Sequence, residues 1–143
     1  MSTQNPYAPP NAKVQDGSGI ADIDNLDVSD AWKQKFRAIH RAGGPSLPDF
    51  KKLTPEERKA VPTFSILAFF FGPFYYLFKG MWRKAITLFV LSVIGIVILD
   101  TVMTFAGLVE YTRATGFAAA AAYAVLANRD YYRKMVLGQN GWW

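Results

Sequence analysis

The stretch Phe64–Lys84 reads FSILAFFFGPFYYLFKGMWRK, and nine of its twenty-one residues are aromatic. Gly72-Pro73 interrupts it near the middle. The eighteen residues from Val61 to Phe78 would cover about 27 Å as a helix, just short of a ~30 Å hydrocarbon core. Pro73 has no amide proton and clashes with the preceding turn, which predicts a kink near Phe69–Gly72. Lys51, Lys52, Arg58 and Lys59 precede the segment, and Lys79, Arg83 and Lys84 follow it. The positive-inside rule places both clusters on the cytoplasmic side, whereas a full span would separate them. The sequence therefore predicts a Pro-kinked aromatic element over 61–78 that re-enters or lies in the interface, with a short first span as the alternative. Broken backbone at that depth must be covered by protein, so later helices are expected to pack on it.

Two further apolar stretches follow. Residues 85–109 are long enough to span with some tilt, and residues 114–128 form a shorter, alanine-rich return. Between them, Glu110–Arg113 carries one basic residue and suits the far side. Arg129, Arg133 and Lys134 can snorkel to the cytoplasmic interface, with 129–143 as a cytoplasmic C-terminus. Gly116, Ala120 and Ala124 form a small-residue row that admits another helix. Tyr75, Tyr76, Trp82, Tyr131, Tyr132, Trp142 and Trp143 are residue types that favour the membrane interface, and Arg83 and Lys84 read as topology anchors. The expected fold is an all-α integral membrane protein with two transmembrane helices plus the aromatic element.

The N-terminal part has a different character. Residues 1–28 read as a disordered tail, with Pro6, Pro9 and Pro10 favouring an extended chain. Residues 29–60 read as cytoplasmic helices. In 30–42, DAWKQKFRAIHRA, Trp32, Phe36 and Ile39 share one face while Lys33, Lys35, Arg37 and Arg41 occupy the rest. That pattern suits a helix on the membrane surface through Trp32, Phe36, Ile39, Lys33 and Arg37, or one packed on the protein's own membrane helices. His40 falls on its polar side and is expected to be solvated. Thr54-Pro55-Glu56-Glu57 is a capping-box start to a short helix that Pro62 interrupts.

Charge follows the same division. Residues 1–30 carry Lys13 against Asp16, Asp22, Asp24, Asp27 and Asp30, while the basic excess begins beyond them and the whole chain is +5. Because the basic residues flank apolar segments, anionic lipid headgroups are the expected partner rather than nucleic acid. There is no cysteine and a single histidine, which excludes thiol chemistry and a histidine metal cluster.

Asp100 is the one ionisable residue inside a predicted span, and a carboxylate there needs a partner or a proton. If the hairpin turns near residues 111–112, its neighbour is Tyr123. The expectation is a Tyr123–Asp100 hydrogen bond, assisted by Thr101 or Thr104, which fixes helix register or serves a proton- or cation-sensing carboxylate. Arg129 and Asp130 are expected to form a terminal ion pair. No nucleophile–base pair, phosphate-binding glycine loop or metal-ligand spacing occurs.

The segment Pro62–Ile86, together with Trp32–Gly44 and Asn128-Arg129-Asp130-Tyr131-Tyr132-Arg133, resembles a family of small bacterial inner-membrane proteins classed as a domain of unknown function. Its FGPxYYLxxGMW-like run is matched by Phe71-Gly72-Pro73-Phe74-Tyr75-Tyr76-Leu77 and Gly80-Met81-Trp82-Arg83-Lys84. The resemblance covers roughly residues 30–135. Ser65 stands where the family usually has asparagine. If that asparagine satisfies broken backbone, Ser65 must do so with a shorter side chain. The resemblance implies a multi-pass bacterial inner (cytoplasmic) membrane protein and no agreed activity. The expected function is that of a non-catalytic accessory or interaction protein with no cofactor, its N-terminus cytoplasmic, joined to a membrane-protein partner or to copies of itself. Immunity to a membrane-acting toxin is a special case. The alternative is a subunit of an oligomeric small transporter or channel that uses Asp100.

Overall fold

The computed structural model describes residues 22–143, so most of the tail expected over 1–28 lies outside the described residues. The remainder of that tail is docked rather than disordered. Ile23 is fully buried, Leu26 and Val28 pack against the same core, and Asp24 pairs with Arg37. Ile23, Leu26 and Val28 are three closely spaced apolar side chains whose burial offsets the cost of ordering.

The described chain is helical throughout. Its elements are α1 (Asp30–Arg41), a 3-10 turn at Phe50–Lys52, α2 (Pro55–Ala60), α3 (Ile66–Phe71), α4 (Pro73–Phe78), α5 (Trp82–Phe105), a second 3-10 turn at Val109–Tyr111, and α6 (Thr112–Met135). The long helices α5 and α6 have 24 residues each and form an antiparallel hairpin. Each is about 36 Å long. Of the described helices, α5 is the one long and apolar enough to cross a membrane, and none of its apolar window is buried within the protein.

Both long helices depart from the predicted bounds. α5 starts and ends earlier than 85–109, because Gly107 stops it. The Gly107 and Leu108 amides donate to the Thr104 and Met103 carbonyls, and Gly107 has φ +74°. This is a Schellman closure, whose left-handed residue favours glycine. α6 continues through Met135 rather than ending near 128, because Asp130, Tyr131 and Tyr132 are buried on one of its faces. Residues 129–135 are therefore structural helix, not a terminal tail.

The aromatic segment doubles back along α6. The Asn128 side-chain amide donates to the Pro62 carbonyl at 3.3 Å, and the Ser65 amide donates to the Ala124 carbonyl at 2.9 Å. Further on, Gly72 lies against the Tyr123 ring, Tyr76 reaches Asp130, and the Lys134 ammonium donates to the Lys79 carbonyl. Both ends of 62–79 therefore lie at the Asn128–Lys134 end of α6. The break falls at Gly72, within the predicted kink, with Pro73 as the first residue of α4. There Pro73's missing amide proton costs nothing. Ser65 caps α3 by accepting from the Ala68 amide at 3.3 Å. The shorter side chain thus satisfies one freed donor while its own amide uses an α6 carbonyl.

The N-terminal helices cover the same end. α1 is amphipathic, but Phe36 and Ile39 are completely buried. Phe36 packs on Tyr131 and Tyr132, and Trp32 meets Tyr131 edge-on at 4.6 Å. Trp32, Phe36 and Ile39 are thus turned onto the protein instead of a membrane surface. Tyr131 offers them an apolar ring, and Tyr132 a hydroxyl as well. His40 is not simply solvated either, since its Nδ1 lies 3.1 Å from the Tyr132 hydroxyl. In α2 the capping box forms as expected. Thr54 Oγ1 accepts from the Glu57 amide at 3.3 Å, and the Glu57 carboxylate accepts from the Thr54 amide at 3.0 Å. These bonds hold the exposed Glu57 carboxyl below its ordinary range.

Gly72 adopts φ +49°, ψ −124°. An added Cβ would meet only ordinary contacts, with Tyr123 at 3.7 Å. Gly72→Ala is therefore expected to destabilise the protein through backbone strain alone, by about 1–3 kcal/mol. Pro73→Ala should cost clearly less. Thermal unfolding of the two purified variants checks the order.

Candidate functional site

Three polar contacts bridge α5 and α6, and one register accounts for all of them. Lys84 Nζ donates to Asp130 Oδ1 at 2.7 Å, the Ser92 and Tyr123 hydroxyls are 3.0 Å apart, and the Thr115 hydroxyl lies 2.8 Å from Asp100 Oδ1. Each pair places the centre of the hairpin at Gly107–Leu108, one helical turn before residues 111–112. The expected Tyr123–Asp100 bond is accordingly absent. Tyr123 meets Ser92, and Asp100 meets Thr115. Thr101 and Thr104 do not assist, because their hydroxyls donate to the Val97 and Asp100 carbonyls of their own helix. Glycine at position 107 is the signal that could have set the turn correctly.

The most polar buried group of the protein gathers around Asp130. Asp130 is 5 % exposed and Lys84 3 %. Besides Lys84, Oδ1 accepts from Arg133 at 3.3 Å, and Oδ2 accepts from the Tyr76 hydroxyl at 3.1 Å. α5 supplies the ammonium, α4 the phenol, and α6 the carboxylate and guanidinium. The carboxylate thereby accepts three hydrogen bonds, and the cluster bears one net positive charge. Removing an ammonium and a carboxylate from water costs several kcal/mol per ion, recovered only where geometry is good and remaining lone pairs are satisfied. Arg129 does not take part. Its Nε is buried without a hydrogen-bond partner, so the expected Arg129–Asp130 pair gives way to Lys84–Asp130. Lys84 itself is a buried partner rather than a surface anchor.

The other candidate residues distribute around this cluster. Tyr75 and Tyr76 are buried at 5 % and 0 % exposure, as are Tyr131 and Tyr132. These four pack within the protein rather than at a membrane interface. Trp82 and Arg83 are exposed at the start of α5, where Trp82 meets Trp142 at 5.6 Å and Arg83 stacks on Trp82 at 5.4 Å. In the small-residue row, Ala124 is fully buried and its carbonyl takes the Ser65 amide. At that point the close approach is made by the chain's own α3. Lys33 is half-buried on α1, and Arg37 is engaged with Asp24.

A second grouping was not anticipated. The Lys79 ammonium lies over Trp32 and Tyr131, 4.5 Å from each centroid, and 5.9 Å from that of Tyr75. Lys35 lies over the same Trp32 ring, also at 4.5 Å. Burial, with Lys35 and Lys134 close by, pushes Lys79 below the usual lysine value. Higher up the hairpin, an apolar cavity of about 290 Å³ lies between α5 and α6, lined by Leu88, Leu91, Gly95, Ala119 and Ala122 among others. Among the described residues, no three histidine, cysteine, aspartate or glutamate side chains gather closely enough to hold a metal ion.

Asp130→Leu is expected to destabilise the protein by about 3–5 kcal/mol, because it strands the buried Lys84 ammonium, and Lys84→Met by less, because Asp130 keeps Arg133 and Tyr76. The double variant should be more stable than either single one. Tyr76→Phe should cost roughly 1 kcal/mol. Thermal unfolding of the four detergent-purified variants gives the coupling. A double variant no better than the worse single one would mean that the ions do not act as a pair.

The chain has bacterial relatives of matching length. It is 30 % identical over 128 residues to the uncharacterized protein YigF of Salmonella typhimurium, covering 84 % of this chain and 94 % of that protein. It is 29 % identical over 125 residues to YigF of Escherichia coli, covering 80 % and 90 %. No solved structure matches it. The helices that build the Asp130 cluster, α4, α5 and α6, fall within residues 26–136, which match a protein family of unknown function, and the chain belongs to that family, DUF2628.

Proposed function

We propose that this chain is a non-catalytic protein of the bacterial inner membrane that works by presenting surfaces to a partner. In this reading α5 and α6 both span, and 62–79 re-enters from the cytoplasmic side. The N-terminus is cytoplasmic, and α1 and α2 cap that end. The observation that carries the reading is how the polar and apolar groups are divided. The buried Lys84, Asp130 and Tyr76 groups pair with one another, whereas the outward surface of α3, α4 and α5 is apolar, with Phe70, Phe74, Phe78 and Phe89 more than half exposed. Such a contiguous apolar surface marks a lipid or protein contact. Lys84 and Asp130 at one end of the hairpin, with Lys79, Arg129, Arg133 and Lys134 around them, suit the positive-inside side. The Asp100–Thr115 bond supports a register role for Asp100 over a transported-ion site.

The natural sequence has no cysteine, so topology can be read with single introduced thiols. Lys59 and Arg83 are exposed on either side of the aromatic segment, and Glu110 is exposed at the hairpin tip. Cysteines at 59 and 83 are expected to label from the same face of the membrane and a cysteine at 110 from the opposite face. Labelling of 59 and 83 from opposite faces would replace the re-entrant element by a span. For the interaction role, a photoreactive residue at Phe70, which is 76 % exposed, is expected to capture one discrete membrane protein in native membranes. Capture of lipid and of the chain itself alone would set aside the accessory role and favour an oligomeric channel or transporter subunit.

A further inference from the structure

We propose that Lys35, Lys79 and Lys134 form a binding site for the headgroup of one anionic phospholipid, whose acyl chain lies in the adjoining cleft beside Leu67, Phe71 and Phe78. This inference rests on the membrane reading above and assigns a particular lipid contact within it.

The charge argument comes first. Lys79 caps the C-terminus of α4, Lys35 projects from α1, and Lys134 closes the last turn of α6. Three elements remote in sequence thus bring their ammonium groups to one place. Lys35 and Lys79 share the Trp32 ring, and the Lys134 ammonium reaches the Lys79 carbonyl. The carboxylates of the described residues that do pair engage Arg37, Lys52, Lys84 and Arg133, and none lies within 4.0 Å of these three lysines. Trp32 and Tyr131 hold the Lys79 ammonium by cation–π attraction, which positions the charge without neutralising it. Among the described residues no carboxylate pairs with these ammonium groups, and an anion would offset their mutual repulsion.

The adjoining surface identifies which anion. A cleft of about 310 Å³ is lined by Leu67, Phe71, Tyr75, Phe78 and Lys79. Lys79 belongs to both the cleft and the lysine group. Leu67, Phe71 and Phe78 are 60 %, 54 % and 84 % exposed. A soluble anion would use the cations and leave the apolar cleft in water, whereas a phospholipid fills both. The lysines stand where the re-entrant element leaves the membrane, at the depth of a cytoplasmic-leaflet headgroup, where each basic residue contributes to anionic lipid attraction.

The test uses the full chain purified in detergent and titrated, by native mass spectrometry, with dioleoyl phosphatidylglycerol and with dioleoyl phosphatidylcholine. The wild type is expected to prefer the anionic lipid. Lys35→Gln and Lys134→Gln should each weaken its binding about five-fold and leave phosphatidylcholine binding unchanged. Lys51→Gln, an exposed lysine outside the group, should change neither. Equal binding of the two lipids by the wild type, or an undiminished preference in the Lys35→Gln/Lys134→Gln double variant, overturns the proposal. Unfolding temperatures in phosphatidylcholine nanodiscs check that the variants fold, and if Lys134→Gln unfolds, Lys35→Gln alone decides. Carbonate extraction of cell membranes separates the two levels of inference. Release of the protein defeats the membrane reading itself, whereas retention without a lipid preference defeats only this site.

Discussion

The ion pair between Lys84 and Asp130 sets the register on which the rest of the hairpin depends. α5 is apolar around its whole circumference, so its side chains give little preference for one sliding position against α6 over another. A buried ammonium and a buried carboxylate do give one, since a slip of one turn would leave the Lys84 ammonium unpaired at a cost of several kcal/mol. Once Lys84 meets Asp130, two straight helices of equal rise carry the register along. Ser92 then meets Tyr123, and Asp100 meets Thr115. The same carboxylate reaches α4 through the Tyr76 hydroxyl, so the returning limb of the aromatic segment is fixed by the same atoms.

This dependence explains what was legible in the sequence. Features governed by local chemistry read correctly. Thr54 and Glu57 form their capping box, Gly72-Pro73 breaks the aromatic helix, and Trp32, Phe36 and Ile39 form one face of α1. Features that depend on which helix lies opposite did not. Lys84 and Asp130 are 46 positions apart, and each, taken alone, is an ordinary charge beside an apolar stretch. With Gly107 taken as part of a span instead of as its stop, the hairpin centre moves one turn along and the expected Asp100 partner about two turns, from Thr115 to Tyr123. Likewise Tyr75, Tyr76, Tyr131 and Tyr132 carry the composition of an interfacial belt. Tyr131 and Tyr132 are covered by α1 and Tyr76 packs on Tyr123 and Asp130 of α6, which no periodicity within α4 or α6 reveals.

The aromatic segment poses a backbone problem that the fold solves by local donation. A helix broken at Gly72 exposes amides and carbonyls that need partners wherever water is scarce. Ser65 serves the first turn of α3, an α6 carbonyl takes the Ser65 amide, and Asn128 serves the Pro62 carbonyl. Lys134 closes the far end at the Lys79 carbonyl. α6 is therefore more than the return limb of a hairpin. Its alanines permit close approach, and its polar residues from Asn128 onward complete the backbone of the segment laid against it.

Charge is the remaining imbalance. With sixteen lysines and arginines against eleven aspartates and glutamates, one-to-one pairing must leave five cations without a carboxylate. The fold does not distribute this excess evenly. Asp130 takes two cations, while Lys35 and Lys79 share the Trp32 ring and Lys134 reaches the Lys79 carbonyl. Holding like charges together opposes folding, and the cation–π contacts offset part of that repulsion; under the lipid proposal an anion offsets the rest. The group that stabilises the hairpin by internal pairing and the group that awaits an external charge lie on the same last turns of α6. Occupancy of the second therefore bears directly on how firmly α1 is held over the first.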